Sequence, residues 1–541
     1  MVLPWEVCEA PPDGGRREGG DDDQPTAPQK SDLFVRAVRP AKAGGAGRDG
    51  LRRTVPRQLS FAFADSPEGG GEASASDASE ARAFLLHTAK SKTTQRPVAG
   101  APAPCGLLEA VASRANLARA LLNVVRNKGA PGVDGQTVEA AERNAPRLIG
   151  CLGEALLRES YRPGEVRRVF IPKPGGGRRD LGIPNVVDRV AQQAVLQVLE
   201  PIFEPTFHPS SHGFRRGRGA PTAIAEAKAH LESDRRTVVD IDLSKFFDRV
   251  DHQRLMDRLA RKVSDPRVLA LVRRMLKAGV VMPDGVKIEV HEGTPQGGPL
   301  SPLLSNVVLD ELDWELARRG HCFVRYADDC NIFVRSERAG RRVMASVRDF
   351  LERRMRLKVN AEKSDVRKPW AVHFLGFRFS HRSTREGRKI IVLPSAKADK
   401  RLKATIRAMT PPNWGRSLSA CMKGLSRYLS GWMAHFRLRT EEAAKGFGTV
   451  DAHIRRRLRA IIIHQRKRRR FLLRHLRARG VTPKAAAGAA YNPKGRWFRS
   501  NHAGMTQAYP PSWFTARMTS LKTRWTALNR AKASEQLAFA F

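Results

Sequence analysis

Two adjacent aspartates, Asp328 and Asp329, sit at the centre of the string Phe323-Val324-Arg325-Tyr326-Ala327-Asp328-Asp329-Cys330-Asn331-Ile332-Phe333-Val334. Side-by-side carboxylates repel each other, and a divalent cation relieves that repulsion by joining them. A third carboxylate is offered by Val238-Val239-Asp240-Ile241-Asp242-Leu243-Ser244-Lys245-Phe246-Phe247-Asp248. In an extended chain, alternation puts Asp240 and Asp242 on one face and Val239, Ile241 and Leu243 on the other. Three carboxylates can hold two Mg²⁺ ions roughly 3.5–4 Å apart, one activating an attacking hydroxyl and one holding a leaving phosphate. Hard oxygen ligands favour Mg²⁺. On the residues alone, Asp240 and Asp242 both stand as the third ligand.

These side chains need strands to carry them. Apolar runs on both sides of Tyr326-Ala327-Asp328-Asp329 read as strand, tight turn, strand, and Asp tolerates turn geometry. The third carboxylate must then lie on a neighbouring strand.

The 541-residue chain has room for about three or four domains. Its apolar content of 41% suffices for large cores. A net charge of +43 and a pI near 11.1 point to a polyanionic partner, nucleic acid first. No apolar run is long enough to span a bilayer, so a membrane partner is not expected. Nor does the start of the chain read as a secretory signal. Cys8, Cys105, Cys151, Cys322, Cys330 and Cys421 are scattered, which fits a reduced, cytoplasmic chain without a zinc module.

Residues 1–100 are rich in Gly, Ser, Pro, Ala and Asp and are expected to be disordered. One island in them, Gln58-Leu59-Ser60-Phe61-Ala62-Phe63, is nearly repeated by the last residues, Gln536-Leu537-Ala538-Phe539-Ala540-Phe541. Exposed aromatics in such a segment suggest an anchor for a partner's apolar groove. From Leu107 the spacing turns helical, and Asn127-Lys128-Gly129-Ala130-Pro131-Gly132-Val133-Asp134-Gly135 follows as a loop. Val169-Phe170-Ile171-Pro172-Lys173-Pro174-Gly175-Gly176-Gly177-Arg178-Arg179 reads as a strand entering a glycine turn, with cations able to grip a triphosphate. Residues 454–479 carry twelve Lys or Arg interleaved with Leu458, Ile461, Ile462, Leu472 and Leu476, which predicts a basic amphipathic helical surface for RNA.

Taken in order from 107 to 514, these blocks closely resemble the reverse transcriptase and maturase proteins encoded by group II introns. Tyr326-Ala327-Asp328-Asp329 is similar to that family's metal-binding box, and the box opening at Asp242 is similar to the one carrying its first catalytic Asp. The resemblance therefore selects Asp242 over Asp240. It implies an α+β right-hand polymerase, with fingers and palm around an antiparallel sheet and a helical thumb and maturase domain after them. Expected boundaries are 1–100 for a disordered region, 101–165 for an extension and the start of the fingers, 166–385 for fingers and palm, 386–500 for thumb and maturase, and 501–541 for a tail.

The resemblance also implies the roles of further residues. Metal ligands are expected at Asp242, Leu243, Asp328 and Asp329, and nucleotide contacts at Lys173, Arg179, Phe247, Gln296 and Lys363. A ring at Phe247 would exclude a ribonucleotide's 2′-hydroxyl, while Phe246 reads as core. Gly293-Thr294-Pro295-Gln296-Gly297-Gly298-Pro299-Leu300-Ser301-Pro302 would shape the nucleotide pocket. Basic residues of Ser211-His212-Gly213-Phe214-Arg215-Arg216-Gly217-Arg218 would line the template path. Departures from the family pattern are Asp180 for Pro, His212 for Tyr and Arg216 for Pro. RNA contacts are expected from Arg455, Arg456, Arg466, Lys467, Arg468, Arg469 and Arg470. With no Cys after Cys421, an endonuclease module of paired Cys and His is not expected.

The implied activity is RNA-directed DNA polymerisation with two Mg²⁺ ions, joined to RNA binding that aids intron splicing and mobility. Implied partners are intron RNA, a DNA primer or target, and dNTPs, in a bacterial, nucleoid-associated setting. A splicing-only cofactor, or a host-recruited relative in repair or defence, are the rival readings. The twin tails resemble peptides that dock on the replication sliding clamp, through Gln58, Leu59, Phe61 and Phe63 and through Gln536, Leu537, Phe539 and Phe541.

Overall fold

The computed structural model describes residues 75–90, 106–172, 177–384, 387–411 and, apart from a few positions between 412 and 445, the chain on to 538. Contacts divide the chain into a unit of residues 51–368 and a unit built on 369–541.

In the first unit, one apolar core joins helices to a sheet. Helices Leu107–Ala112, Arg114–Asn127, Ala145–Leu157 and Val186–Phe203 bury their apolar stripes together, Leu117, Leu121, Val190 and Val195 among them. The loop 127–135 docks on the start of Val186–Phe203. There Asn185 Oδ1 accepts from the Val133 amide (2.9 Å) and Arg189 Nη2 donates to the Ala130 carbonyl (2.6 Å). A Cβ on Gly132 would lie 2.1 Å from Asn185 Oδ1, so the close approach requires glycine there.

Strands β1 (Val166–Pro172) and β2 (Arg178–Ile183) form a hairpin. Two-residue strands extend that sheet, and its order is β2-β1-β4-β5. One pairing in this sheet is parallel, since β1 runs in the same direction as β4 (Val280–Val281) through Val166 and Arg167. The last strand, β5, is Lys287–Ile288. The second sheet is antiparallel throughout, in the order β6-β7-β3-β8. Its strands are β3 (Thr237–Ile241), β6 (Cys322–Tyr326), β7 (Asp329–Val334) and β8 (Asp365–Arg367). Helix Glu337–Asp349 packs closely on this sheet at Gly340, where a Cβ would sit 2.6 Å from Val366 Cγ1.

The second unit opens with the hairpin β9 (Phe377–Thr384) and β10 (Gly387–Pro394) and continues in helices. Phe377 packs on Phe436 of helix Leu418–Phe436 with ring centroids 5.1 Å apart. Accordingly residues 369–385, expected within fingers and palm, group with the helices. The break falls at 368, ahead of the expected 385. The expected tail is also folded. Asp451 accepts from Ser520 Oγ (2.8 Å) and from the Leu521 and Lys522 amides, which fixes the start of helix Leu521–Ala538.

A further correction lies in the stretch expected to be disordered. Ala75–Lys90 is a helix whose Ala81 and Leu85, four residues apart, are buried against Arg114–Asn127. Residues 1–74 and 91–105 lie outside the description, and Gln58, Leu59, Phe61 and Phe63 with them. Gln536 and Leu537 end the last helix, while Phe539 and Phe541 lie outside.

Candidate active site

The two carboxylate-bearing stretches meet at one end of the antiparallel sheet. Tyr326 pairs with Asp329, which leaves Ala327 and Asp328 as a two-residue turn between β6 and β7. Ala327 has φ 56°, the sign that such a hairpin asks of its first turn residue. A non-glycine residue held there costs about 1–2 kcal/mol, so its surroundings must hold it. β3 lies beside β7 with Asp240 opposite Asn331 and Ile241 opposite Cys330. One further step brings Asp242 level with Asp329.

Asp242 is fixed by its backbone. Its amide donates to Ser364 Oγ (3.0 Å), and its carbonyl accepts from the Asn360 amide (2.9 Å). Its carboxylate lies 3.3 Å from Asn360 Nδ2 and 3.5 Å from Lys363 Nζ. Asp240 is held differently. Its Oδ2 lies 3.7 Å from the Arg367 guanidinium on β8, and burial pushes its pKa up to about 6. The pairing with Arg367 supports Asp242, not Asp240, as the third member of the set.

Electrostatics couple the carboxylates. Burial, reinforced by the charge on Asp242, pushes Asp328 above the usual carboxylate range. Asp329 is exposed at the surface, yet the protein around it and the charges on Asp328, Asp242 and Asp240 push its pKa up to about 8. Lys363 acts in the opposite direction on both, as does Arg179 on Asp328. Among the described residues, no three His, Cys, Asp or Glu side chains are drawn together into a ready-made metal cage. The donor set is three carboxylates, two of which, Asp328 and Asp329, have their pKa raised partly by neighbouring negative charge, and it suits a hard divalent cation whose charge would offset that repulsion. Leu243, whose side chain is buried, could add only a main-chain carbonyl.

The turn is keyed from behind by a residue that sequence reasoning passed over. Arg325 is fully buried, and all five of its N–H groups are used. Nε and Nη2 donate to the two oxygens of Asp313 (2.7 and 2.6 Å). Nη1 donates to Asn306 Oδ1 (3.0 Å) and to the Ala327 carbonyl (2.9 Å), and Nη2 also to Ser211 Oγ (2.7 Å). Asp313 and Asn306 come from helix Ser301–Arg318, which follows the Gly/Pro-rich loop. The signal was available. Arg325 is in phase with the core residue Phe323, and Asp313 stands in the stripe of Leu309, Leu312 and Leu316, so each charge occupies an apolar phase.

Ser211-His212-Gly213 closes the other side of the turn. The His212 amide donates to the Arg325 carbonyl (2.9 Å), and a Cβ on Gly213 would meet the Ala327 nitrogen at 2.3 Å. His212 is buried between Thr222 (2.8 Å) and Glu226 (2.7 Å). Arg215 corrects an expectation, since its guanidinium serves the fold and not a template path. It donates to Glu204 (2.9 Å) and to the carbonyls of His208 and Ser211.

Of the expected nucleotide contacts, Lys363 and Arg179 act on the carboxylates at this end of the sheet. Phe246 is core, and Phe247 is half-buried against it. The Phe247 carbonyl accepts from the Thr294 amide (2.6 Å), and the Gln296 carbonyl from the Gly182 amide (2.8 Å). The loop thus bridges the Phe246–Asp248 turn and β2. Gly297 has φ 135° with its Cβ direction 2.3 Å from the Gly182 carbonyl, so only glycine fits. Strand alternation sends Asp180 away from Arg179, and the Asp180 charge acts on Asp248 instead. Lys173 lies outside the described residues.

In the second unit, helix Gly446–Gln465 carries Arg455 and Arg456. The predicted basic helix is two helices, because residues 466–468 break it before Arg469–Ala478. Five consecutive cations repel most where a helix would stack them. Arg466, Lys467, Arg468, Arg469 and Arg470 are all exposed. Arg459, by contrast, is buried and donates to the Tyr509 carbonyl (2.7 Å).

Two family descriptions match the chain. Residues 171–379 match "Reverse transcriptase (RNA-dependent DNA polymerase)", and residues 399–480 match "Group II intron, maturase-specific domain". Protein YkfC of Escherichia coli (strain K12) is 33% identical over 327 residues, covering 52% of this chain and 85% of YkfC. Group II intron-encoded protein LtrA of Lactococcus lactis subsp. cremoris is 37% identical over 192 residues, covering 35% of this chain and 32% of LtrA. Among the described residues, no helix is long and apolar enough to cross a membrane.

Proposed function

Because the chain belongs to the group II intron reverse transcriptase and maturase family, we propose that its RNA-directed DNA polymerase works through Asp242, Asp328 and Asp329. The observation that carries this reading is the strand register that brings Asp242 level with the Asp328–Asp329 turn at one end of one antiparallel sheet. Enzymes of this family use divalent metal ions; here two Mg²⁺ ions suit the oxygen donors. Bound there, they would activate the primer 3′-hydroxyl and stabilise charge on the phosphates of the incoming dNTP.

The remaining residues bind and align. Arg179, whose charge already reaches Asp328, and Lys173 would hold the triphosphate. The Lys363 side chain is largely exposed, and an exposed ion pair is worth about 0–1 kcal/mol. Lys363 can therefore leave Asp242 for an incoming phosphate at little cost. Phe247 and Gln296 frame the sugar and the base. In the maturase-specific domain the exposed cations at 466–470 would bind the intron RNA backbone.

Primer extension on an RNA template by the purified chain tests the reading. Extension is expected with Mg²⁺ and dNTPs, with ribonucleotides poorly used. Phe247→Ala should narrow the ratio of the two kcat/KM values by about tenfold or more, the size of effect a pocket wall has on one small group. An unmoved ratio makes Phe247 a core residue only, and no extension with any divalent ion removes the active-site assignment.

A contact with the replication sliding clamp through the twin tails belongs to the same setting, with docking that would bring the enzyme to primers and single strands. Its test is binding of the two isolated peptides to purified clamp. Detectable affinity that is lost on Gln→Ala and Phe→Ala change supports it, and none for either peptide ends it.

A further inference from the structure

The second unit exposes aromatic rings among its cations, Phe471 within the stretch that matches the maturase-specific description and Phe498 beyond it. Helix Arg469–Ala478 buries Leu472 and Leu476 and leaves Phe471 at 42% exposure on its outer side. Three guanidiniums surround that ring. The Cζ atoms of Arg468, Arg470 and Arg474 lie 5.9, 5.3 and 5.7 Å from its centroid. A second exposed ring, Phe498 at 45%, carries Lys494 Nζ at 4.4 Å. Its short helix, Arg496–Arg499, is tied to the end of helix Gly446–Gln465 by a contact between Arg496 and His464, just ahead of Arg466.

Such an arrangement is poorly explained by folding alone. A cation beside an exposed ring gains a little from the ring's charge distribution, but three guanidiniums around one ring repel each other. The sequence offers them no nearby counter-charge, since no Asp or Glu occurs between Asp451 and Glu535. A phosphate backbone supplies the missing charge, and a base supplies a flat partner for the ring. Duplex RNA shows its phosphates but hides its base faces, so the rings select unpaired nucleotides.

We propose that Phe471, with Phe498 as a second station, is a stacking platform for unpaired bases of RNA, with the adjoining guanidiniums taking the flanking phosphates. The proposal rests on the reading of this domain as RNA-binding and names the form of RNA that it takes.

The experiment compares the full chain with Phe471→Ala and Phe471→Leu on two probes, an A-rich single-stranded RNA and an RNA duplex of equal charge, over a series of salt concentrations. Base stacking lost from one ring corresponds to about a 5- to 150-fold weaker binding of the single strand. Duplex affinity and the slope of log affinity against log salt should not move, because no phosphate contact is removed. Phe471→Trp should retain single-strand binding. Replacing Arg466, Lys467, Arg468, Arg469 and Arg470 by Gln is the separate arm, and it should flatten the salt slope on both probes. Wild-type single-strand affinity in both Phe471 variants overturns the stacking site, whatever the Gln variant does. Equal losses on single strand and duplex also overturn it, since Phe471 then only props the guanidiniums. An unchanged slope in the Gln variant overturns the phosphate-binding reading of the domain instead.

Discussion

Replacing Asp328 by Asn is expected to lower the rate of nucleotide addition by about a thousandfold or more, while RNA affinity stays close to wild type. Asn keeps the shape and one carbonyl oxygen but loses the charge that a metal ligand needs. Metal stabilisation of phosphoryl-transfer charge is worth several kcal/mol, and about 1.4 kcal/mol is tenfold in rate. RNA affinity should hold because Asp328 sits in the β6–β7 turn and the proposed RNA contacts are on the other unit. The matching control is Asp240→Asn. That residue faces Arg367 at 3.7 Å, so its loss should cost only about tenfold or less, through positioning. The two variants are compared by single-nucleotide extension at saturating Mg²⁺ and by RNA filter binding. Near-normal extension by Asp328→Asn would sink the assignment. The same substitution should raise the metal-free melting temperature, because burial and the Asp242 charge disfavour an ionised Asp328 in the fold.

Part of that arrangement was legible because it is local. Turn chemistry places Asp328 beside Asp329, and alternation puts Asp240 and Asp242 on one face, but the choice of Asp242 came from the resemblance, and the β3–β7 pairing that brings it level with Asp329 joins stretches far apart in the chain. Lys363 shows the limit of such reading. Its sequence neighbours do not reveal that it lies beside Asp242, more than a hundred residues earlier. Arg215 failed for a similar reason, since a basic residue in a basic block looks available until Glu204 and two carbonyls are found around it. Composition misled at Ala75–Lys90, where Gly- and Ser-rich flanks masked the spacing of Ala81 and Leu85. The unit boundary escaped because β9 and β10, among the described residues, form a two-stranded sheet of their own, and which unit takes such a hairpin is decided by packing such as Phe377 on Phe436. Arg325 and Asp313 were legible as anomalies, each a charge in an apolar phase, but neither phase alone names its partner.

That pair yields the second large expected effect. Arg325→Met leaves Asp313 buried with an uncompensated charge, a loss of about 3–5 kcal/mol when one partner of a buried pair is removed. A domain has only about 5–15 kcal/mol in hand, so the single variant should melt far lower and lose activity without saying why. The informative variant is Arg325→Met with Asp313→Leu. Replacing a whole buried pair by apolar side chains of similar size is often neutral or stabilising, and Leu continues the stripe of Leu309, Leu312 and Leu316. Its melting temperature should return to within a few degrees of wild type, as far as Asn306 and Ser211 tolerate the loss of their donor. Activity should not return with it. The Ala327 carbonyl would still lack the Nη1 donor that holds a non-glycine residue at φ 56°, one position before Asp328. A misplacement on the order of 1 Å at a reacting centre costs about a hundredfold, so kcat should stay down by about that factor. KM for the dNTP should change little, because Arg179, Lys363 and Gln296 are untouched. Recovery of both melting temperature and kcat in the double variant would reduce Arg325 to a stabilising residue. Recovered stability with kcat still depressed identifies it as the positioning residue of the catalytic turn.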